Sequence, residues 1–191
     1  MQLAPGKTLN ELAYMNPDVL EENSIRIAFQ LGMHTAFSYA FGVKDGYQSN
    51  YLFDEHSKTI TRIDNEKFLR MPDDPEKTLE DNHHYAQDIA SCEMENLKYI
   101  PYFRRKEGMD DILKAFNTGF MEKYRELKQK KNTLLKMIEH SRHDTFQIRP
   151  GVDEKTYQSG TKKIMHAVGH LIDQEPEKVL KRLYKARNEI K

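Results

Sequence analysis

Gly42-Val-Lys-Asp-Gly-Tyr-Gln-Ser-Asn-Tyr-Leu-Phe-Asp54, followed shortly by Thr61-Arg-Ile-Asp-Asn65, is the stretch from which the fold is read. Asp45 and Asn50 stand in one loop, five positions apart. Two short runs with strand character, Asn50 to Phe53 and Thr59 to Ile63, flank the polar turn Asp54-Glu-His-Ser-Lys58. The reading is a loop followed by a hairpin whose second strand ends in Ile63-Asp64. Asp45-Gly46 alone is only a turn signal, because Asp and Gly suit turn geometry in most proteins. The order of elements around the loop carries more information than any one residue in it.

Upstream, residues Asn16 to Gly42 read as one helix. Asn16 is placed to cap it, Pro17 takes the first helical position, and Asp18 and Glu21 complement the positive helix end. Ile25, Phe29, Met33, Ala36, Phe37, Ala40 and Phe41 recur at helical spacing, and Gly42 is a stop. Downstream, Met71-Pro-Asp-Asp-Pro75 is a loop, a helix runs from about Thr78 to Tyr99, and Pro101 closes it. A longer helix spans Met109 to His140, with Ile112, Leu113, Phe116, Phe120, Tyr124, Leu127, Leu134, Leu135 and Ile138 on its apolar face. Gly119 in its interior predicts a bend. Asp153 to Ile172 and Pro176 to Ile190 follow as a terminal pair, expected to be antiparallel neighbours because their connection is short. The fold class is therefore mainly α (α+β), helical with one small hairpin. Residues 1–146 form the main body, and 147–191 are a C-terminal helical pair packed on the same domain.

Asp45-Gly-Tyr-Gln-Ser-Asn50 and Ile63-Asp64-Asn65 together resemble the catalytic loop and metal strand of atypical kinases of the phosphatidylinositol 3-/4-kinase type. The second motif looks most like the type II phosphatidylinositol 4-kinase variant. The resemblance covers about two thirds of the chain, and its specific part is Asp45 to Asn65. It implies a kinase-like C-lobe, with the long helix before the loop as its buried helix and Leu3 to Leu12 as the segment leaving the hinge. It implies an ATP-dependent phosphotransferase, with Asp45 as catalytic aspartate orienting the acceptor hydroxyl. Asn50 and Asp64 would hold Mg2+ or Mn2+ against the ATP phosphates. Two positions depart from the pattern: Gly46 stands where the family carries Arg, and Glu66 where it carries Gly.

A kinase N-lobe supplies a Gly-rich cover, a strand lysine and a helix glutamate. Nothing upstream of Leu3 or downstream of the hairpin reads as one. Activity is thus expected to depend on a lobe supplied from elsewhere, and the alternative function is a non-catalytic helical interaction module. Either way a protein partner or self-association is expected at the lobe-facing end, through Leu3, Leu9, Leu12, Tyr14, Leu52 and Ile63. Gly6-Lys7-Thr8 is not a P-loop, since that motif needs an earlier Gly preceded by a strand.

Composition sets the remaining bounds. With 191 residues, 30 basic against 30 acidic, the chain has no global field to favour nucleic acid. The single Cys92 rules out an internal disulfide framework and suits a reducing, cytoplasmic setting. A mean hydropathy of −0.83 goes with a charged surface and no membrane-spanning segment. His140-x-x-His143 and His166-x-x-x-His170, with Asp144 and Asp173 nearby, have zinc-site spacing, but eight scattered His produce such pairs by chance. Arg104-Arg-Lys106 among aromatics reads as a solvated loop.

Overall fold

The computed structural model describes residues 5–44, 46–63, 69, 83–100, 108–148 and 153–189, with backbone alone for residues 83 and 143–148. Helices dominate, and a small three-stranded antiparallel sheet packs at one end. The sheet has the order β1 (Lys7–Thr8), β2 (Tyr51–Asp54), β3 (Thr59–Arg62). Tyr51 faces Arg62 and Phe53 faces Ile60 across the hairpin, while Thr8 pairs with Leu52. Strand β2 lies one residue later than the sequence predicts, whereas β3 begins at Thr59 as expected and ends one residue early. Their turn closes as expected: the Asp54 carboxylate accepts from the His56 amide at 2.9 Å and the Ser57 hydroxyl at 2.7 Å.

The first strand and helix lie in the hinge-like segment, where the sequence reading has neither. Helix α1 (Leu9–Met15) opens with a capping box. The Thr8 hydroxyl accepts from the Glu11 amide at 3.1 Å, and the Glu11 carboxylate accepts from the Thr8 amide at 2.8 Å. Pro17 ends it by disfavouring helical geometry at Asn16. The single helix expected from Asn16 to Gly42 is two: α2 (Pro17–Glu22) and α3 (Ser24–Phe41). Asn23 breaks them, its backbone leaving helical geometry while its side chain donates to the Val19 carbonyl at 2.7 Å. Gly42 stops α3 in the left-handed conformation, at φ 61°.

Helix α4 (His83–Glu93) continues as a 3₁₀ segment, Met94–Tyr99. The expected start at Thr78 and the closing Pro101 lie outside the described residues. Helix α5 (Met109–Ile148) runs 40 residues without interruption, so Gly119 does not end or divide it. The glycine answers a packing demand instead. A Cβ on Gly119 would overlap the Phe29 carbonyl of α3, and one on Gly32 of α3 would overlap the Phe116 carbonyl of α5. The two helices cross backbone to backbone through a reciprocal pair of glycine notches.

Helices α6 (Glu154–Asp173) and α7 (Pro176–Glu189) complete the fold. They are not primarily neighbours of each other: α6 lies along α5, and α7 packs on α4. Leu171, Val179, Leu183 and Ala186 join the same core as Ile27 and Leu31 of α3, Phe116 and Phe120 of α5, and Tyr51 and Phe53 of the sheet. Buried tyrosines fasten these layers. Tyr85 donates to the Tyr39 carbonyl at 2.5 Å, Tyr39 donates to Gln174 at 2.9 Å, and Tyr124 donates to the Leu171 carbonyl at the α6 terminus. Burial pushes all three phenols above their ordinary pKa.

Candidate functional site

The chain leaves α3 at Gly42 and enters β2 from a short 3₁₀ turn, Gln48–Asn50. Helix α4 holds this loop from behind. Lys44 pairs with Asp88 at 2.7 Å, and the Asn96 side chain donates to the Gly46 carbonyl at 2.5 Å. Asn50 is half-buried at the end of the turn, its amide bonded to the Tyr47 carbonyl at 2.8 Å. The Asn50 carbonyl in turn accepts from the Ile63 amide at 2.8 Å. That bond joins the end of the loop to the end of the hairpin. Asp45 and Asp64, the other two residues singled out by the sequence, lie outside the described residues. The side-chain amide oxygen of Asn50 is a hard donor of the kind magnesium accepts.

Sequence reasoning missed the residue at the centre of this region. Glu93, at the end of α4, is 0% exposed. It accepts hydrogen bonds from Ser38 of α3 at 2.6 Å, Arg62 of β3 at 2.8 Å and Tyr51 of β2. Arg62 also donates to Ser38 at 2.7 Å and lies over the Tyr51 ring at 5.6 Å. Its side chain is only 6% exposed, yet neither Nε nor Nη2 has a partner among the described residues. The loop presses directly on this cluster, because a Cβ on Gly46 would fall on the Glu93 carboxylate. A side chain at position 46 would have to displace the Glu93 carboxylate.

Burial first, and the Glu93 carboxylate second, hold the Tyr51 phenol well above its ordinary pKa, so it remains a donor. His34, edge-on to Tyr51 at 5.2 Å between ring centroids, is held below its ordinary value by burial, with Glu93 acting in the opposite direction. Burial also raises the Cys92 thiol, which makes it a poor nucleophile. A signal for Glu93 existed in the sequence. Tyr85, Ala86, Ile89, Ala90, Met94 and Leu97 are all buried, and Glu93 falls on the same stripe.

The other sequence candidates separate from this region. Among the described residues no three His, Cys, Asp or Glu side chains gather to hold a metal. Asp173 is taken up by Lys131, and the side chains of His143 and Asp144 lie outside the described residues. His140 lines a cleft of about 690 Å³ between α5 and α6, with Lys136, Tyr157, Thr161 and Met165. That cleft shares no residue with the loop or hairpin. Residues 101–107, with the basic run, lie outside the described residues. Of the apolar residues expected at the exposed end, Leu9 and Leu12 are fully buried in the core, whereas Tyr14 is 82% exposed and its neighbour Met15 is 72% exposed. Leu52 and Ile63 are half-buried, and Leu3 lies outside the described residues. No helix among the described residues is long and apolar enough to cross a membrane. No protein-family model matches the chain, no curated protein is similar to it, and no solved structure matches its fold.

Proposed function

We propose that the chain is a kinase-like phosphotransferase domain acting on ATP with magnesium or manganese. In this reading Asp45 orients the acceptor hydroxyl, and Asn50 and Asp64 ligate the metal. The observation that supports it is the hydrogen bond from the Ile63 amide to the Asn50 carbonyl. It continues the hairpin ladder one pair beyond Tyr51 and Arg62, and so brings Asn50 beside Ile63, the residue that precedes Asp64 in the sequence. Magnesium completes its shell with water and substrate phosphates, so two protein oxygens suffice when nucleotide is present. The bound metal would supply neutralisation of phosphate charge, and the chain's own task is to hold the acceptor oxygen in line with it. A cytoplasmic location, with ATP at hand and Cys92 kept as a buried thiol, goes with this reading.

Calorimetry with Mn2+ and ATP tests it. Binding should be seen for the wild type and lost in Asp64→Ala, and phosphotransfer or ATP hydrolysis should be lost in Asp45→Asn while the fold persists. Equal binding by wild type and Asp64→Ala overturns the assignment.

A second reading, a non-catalytic interaction module, draws on the exposure of Tyr14 and Met15 at the end of α1, a helix that packs beside the 3₁₀ turn of the loop. Adjacent large apolar side chains in solvent favour a partner surface. Sedimentation separates the two readings. Concentration-dependent association that Tyr14→Ser with Met15→Ser abolishes, without any nucleotide binding, favours the module.

A further inference from the structure

We infer that Glu93 is the positioning residue of the candidate site. Its one buried carboxylate lies against Gly46, accepts from Tyr51 and pairs with Arg62, and so sets three segments of chain in a single register. In the sequence Gly46 adjoins Asp45, Tyr51 adjoins Asn50, and Arg62 stands two residues before Asp64. Among the described residues, Asn50 directly precedes one of these anchors, Tyr51, and shares its loop with another, Gly46, so the cluster bears on the backbone at both ends of residues 46–50. What the register serves rests on the phosphotransferase reading; that Glu93 sets it does not.

The form of the cluster argues against a merely space-filling role. A buried ion pair is often no more stable than apolar residues of equal volume, and here two guanidinium nitrogens have no partner among the described residues. Stability alone would be met more simply by a leucine at position 93. What an apolar side chain cannot do is accept from a serine, a tyrosine and an arginine on three different elements at once. Asn96, one helical turn on, grips the Gly46 carbonyl at the same time. The end of α4 and the 3₁₀ segment after it thus both contact Gly46, while Ile63 bonds to Asn50.

Amide hydrogen exchange followed by NMR, together with Mn2+–ATP titration, tests the inference on wild type and Glu93→Gln. Glutamine keeps the shape but removes the charge and half of the acceptor capacity. Exchange of the Asn50 and Ile63 amides should rise about tenfold, and Mn2+–ATP binding should weaken about tenfold, the scale of losing hydrogen bonds to a charged group. The Phe116 and Phe120 amides at the α3–α5 crossing should stay unchanged, which separates local release of the register from a global loss of stability. A folded Glu93→Gln variant with wild-type exchange at Asn50 and Ile63, or one in which all amides accelerate alike, overturns the inference. Should Glu93→Gln fail to fold, Tyr51→Phe removes one donor alone, and unchanged exchange at the two amides in that variant overturns it equally. Faster loop exchange in a protein whose wild type does not bind Mn2+–ATP upholds the positioning role and sinks the phosphotransferase reading.

Discussion

The α3–α5 crossing and the seam between loop, hairpin and α4 both centre on buried groups, yet they are held by opposite means. At the crossing, Gly32 and Gly119 remove their side chains so that two helix backbones meet, and Phe116 and Phe120 fill the flanks. At the seam, Gly46 also removes its side chain, but what fills the vacated space is a carboxylate. Dispersion and burial tolerate small rearrangements of side chains, so the crossing fixes distance more tightly than orientation. Hydrogen bonds to one carboxylate fix direction as well, and an unmade one is costly. The crossing provides the frame, and the seam provides a geometry.

The sharpest way to break this contrast is at Arg62. Arg62→Ala should lower unfolding free energy by about 4 kcal/mol in urea titration, because Glu93 is left charged and unpaired in the core. Arg62→Met combined with Glu93→Leu should cost far less, since the uncompensated charge is gone, while the loop amides still lose their order. A loss below about 1 kcal/mol for Arg62→Ala would mean that the pair behaves like a solvated surface bridge, and the contrast would fail.

At the crossing the expected loss is smaller and purely steric. Gly119→Ala should destabilise by about 2–3 kcal/mol, because the added methyl group meets the Phe29 backbone, which cannot rotate away. Gly32→Ala should act alike, and the double variant should cost less than the sum, as one separation of the helices relieves both clashes. Gly160→Ala on α6 is the control, since its added Cβ would meet nothing closer than Arg142 at 3.9 Å. It should stabilise by about 0.5–1 kcal/mol through helix propensity alone. Destabilisation by Gly160→Ala as large as that by Gly119→Ala would remove the steric account.

The two regions also differ in how far the sequence discloses them. The hairpin is readable because its alternation and its Asp54 turn are local, and α3 because its apolar residues recur at helical spacing up to Gly42. The capping box at Thr8 and Glu11 is local too, and marks a helix start that a hinge-like reading passes over. The break at Asn23 depends on one side chain competing for a carbonyl, which periodicity does not register. The pairing of Gly32 with Gly119 is a contact across most of the chain, and no spacing rule connects them; read alone, Gly119 suggests only a bend. Glu93 sits between these cases. Its place on a buried stripe is visible, but one acidic residue in a charged chain looks like a solvated one until the partners on α3, β2 and β3 are known.

The smallest expected effect, and the most specific to the seam, is its response to acid through His34. This residue faces the Glu93 carboxylate, which favours its protonation, and the Arg62 and Lys123 cations, which oppose it; it also bonds the Ile60 backbone. Burial is the largest influence and favours the neutral ring. In the unfolded chain the imidazole takes up a proton near its ordinary value of 6.5, whereas in the folded chain it does so only at lower pH. Below 6.5 the unfolded state therefore binds more protons, so stability falls as pH drops through that window and is fully present above it. Urea midpoints measured between about pH 7.5 and about pH 5.5 should decline in the wild type, with carboxylates still largely ionised over that range. In His34→Gln the decline should flatten, while Gly119→Ala should shift the whole curve down without changing its slope. An acid limb of equal slope in His34→Gln and wild type would show that the seam does not sense pH through this residue.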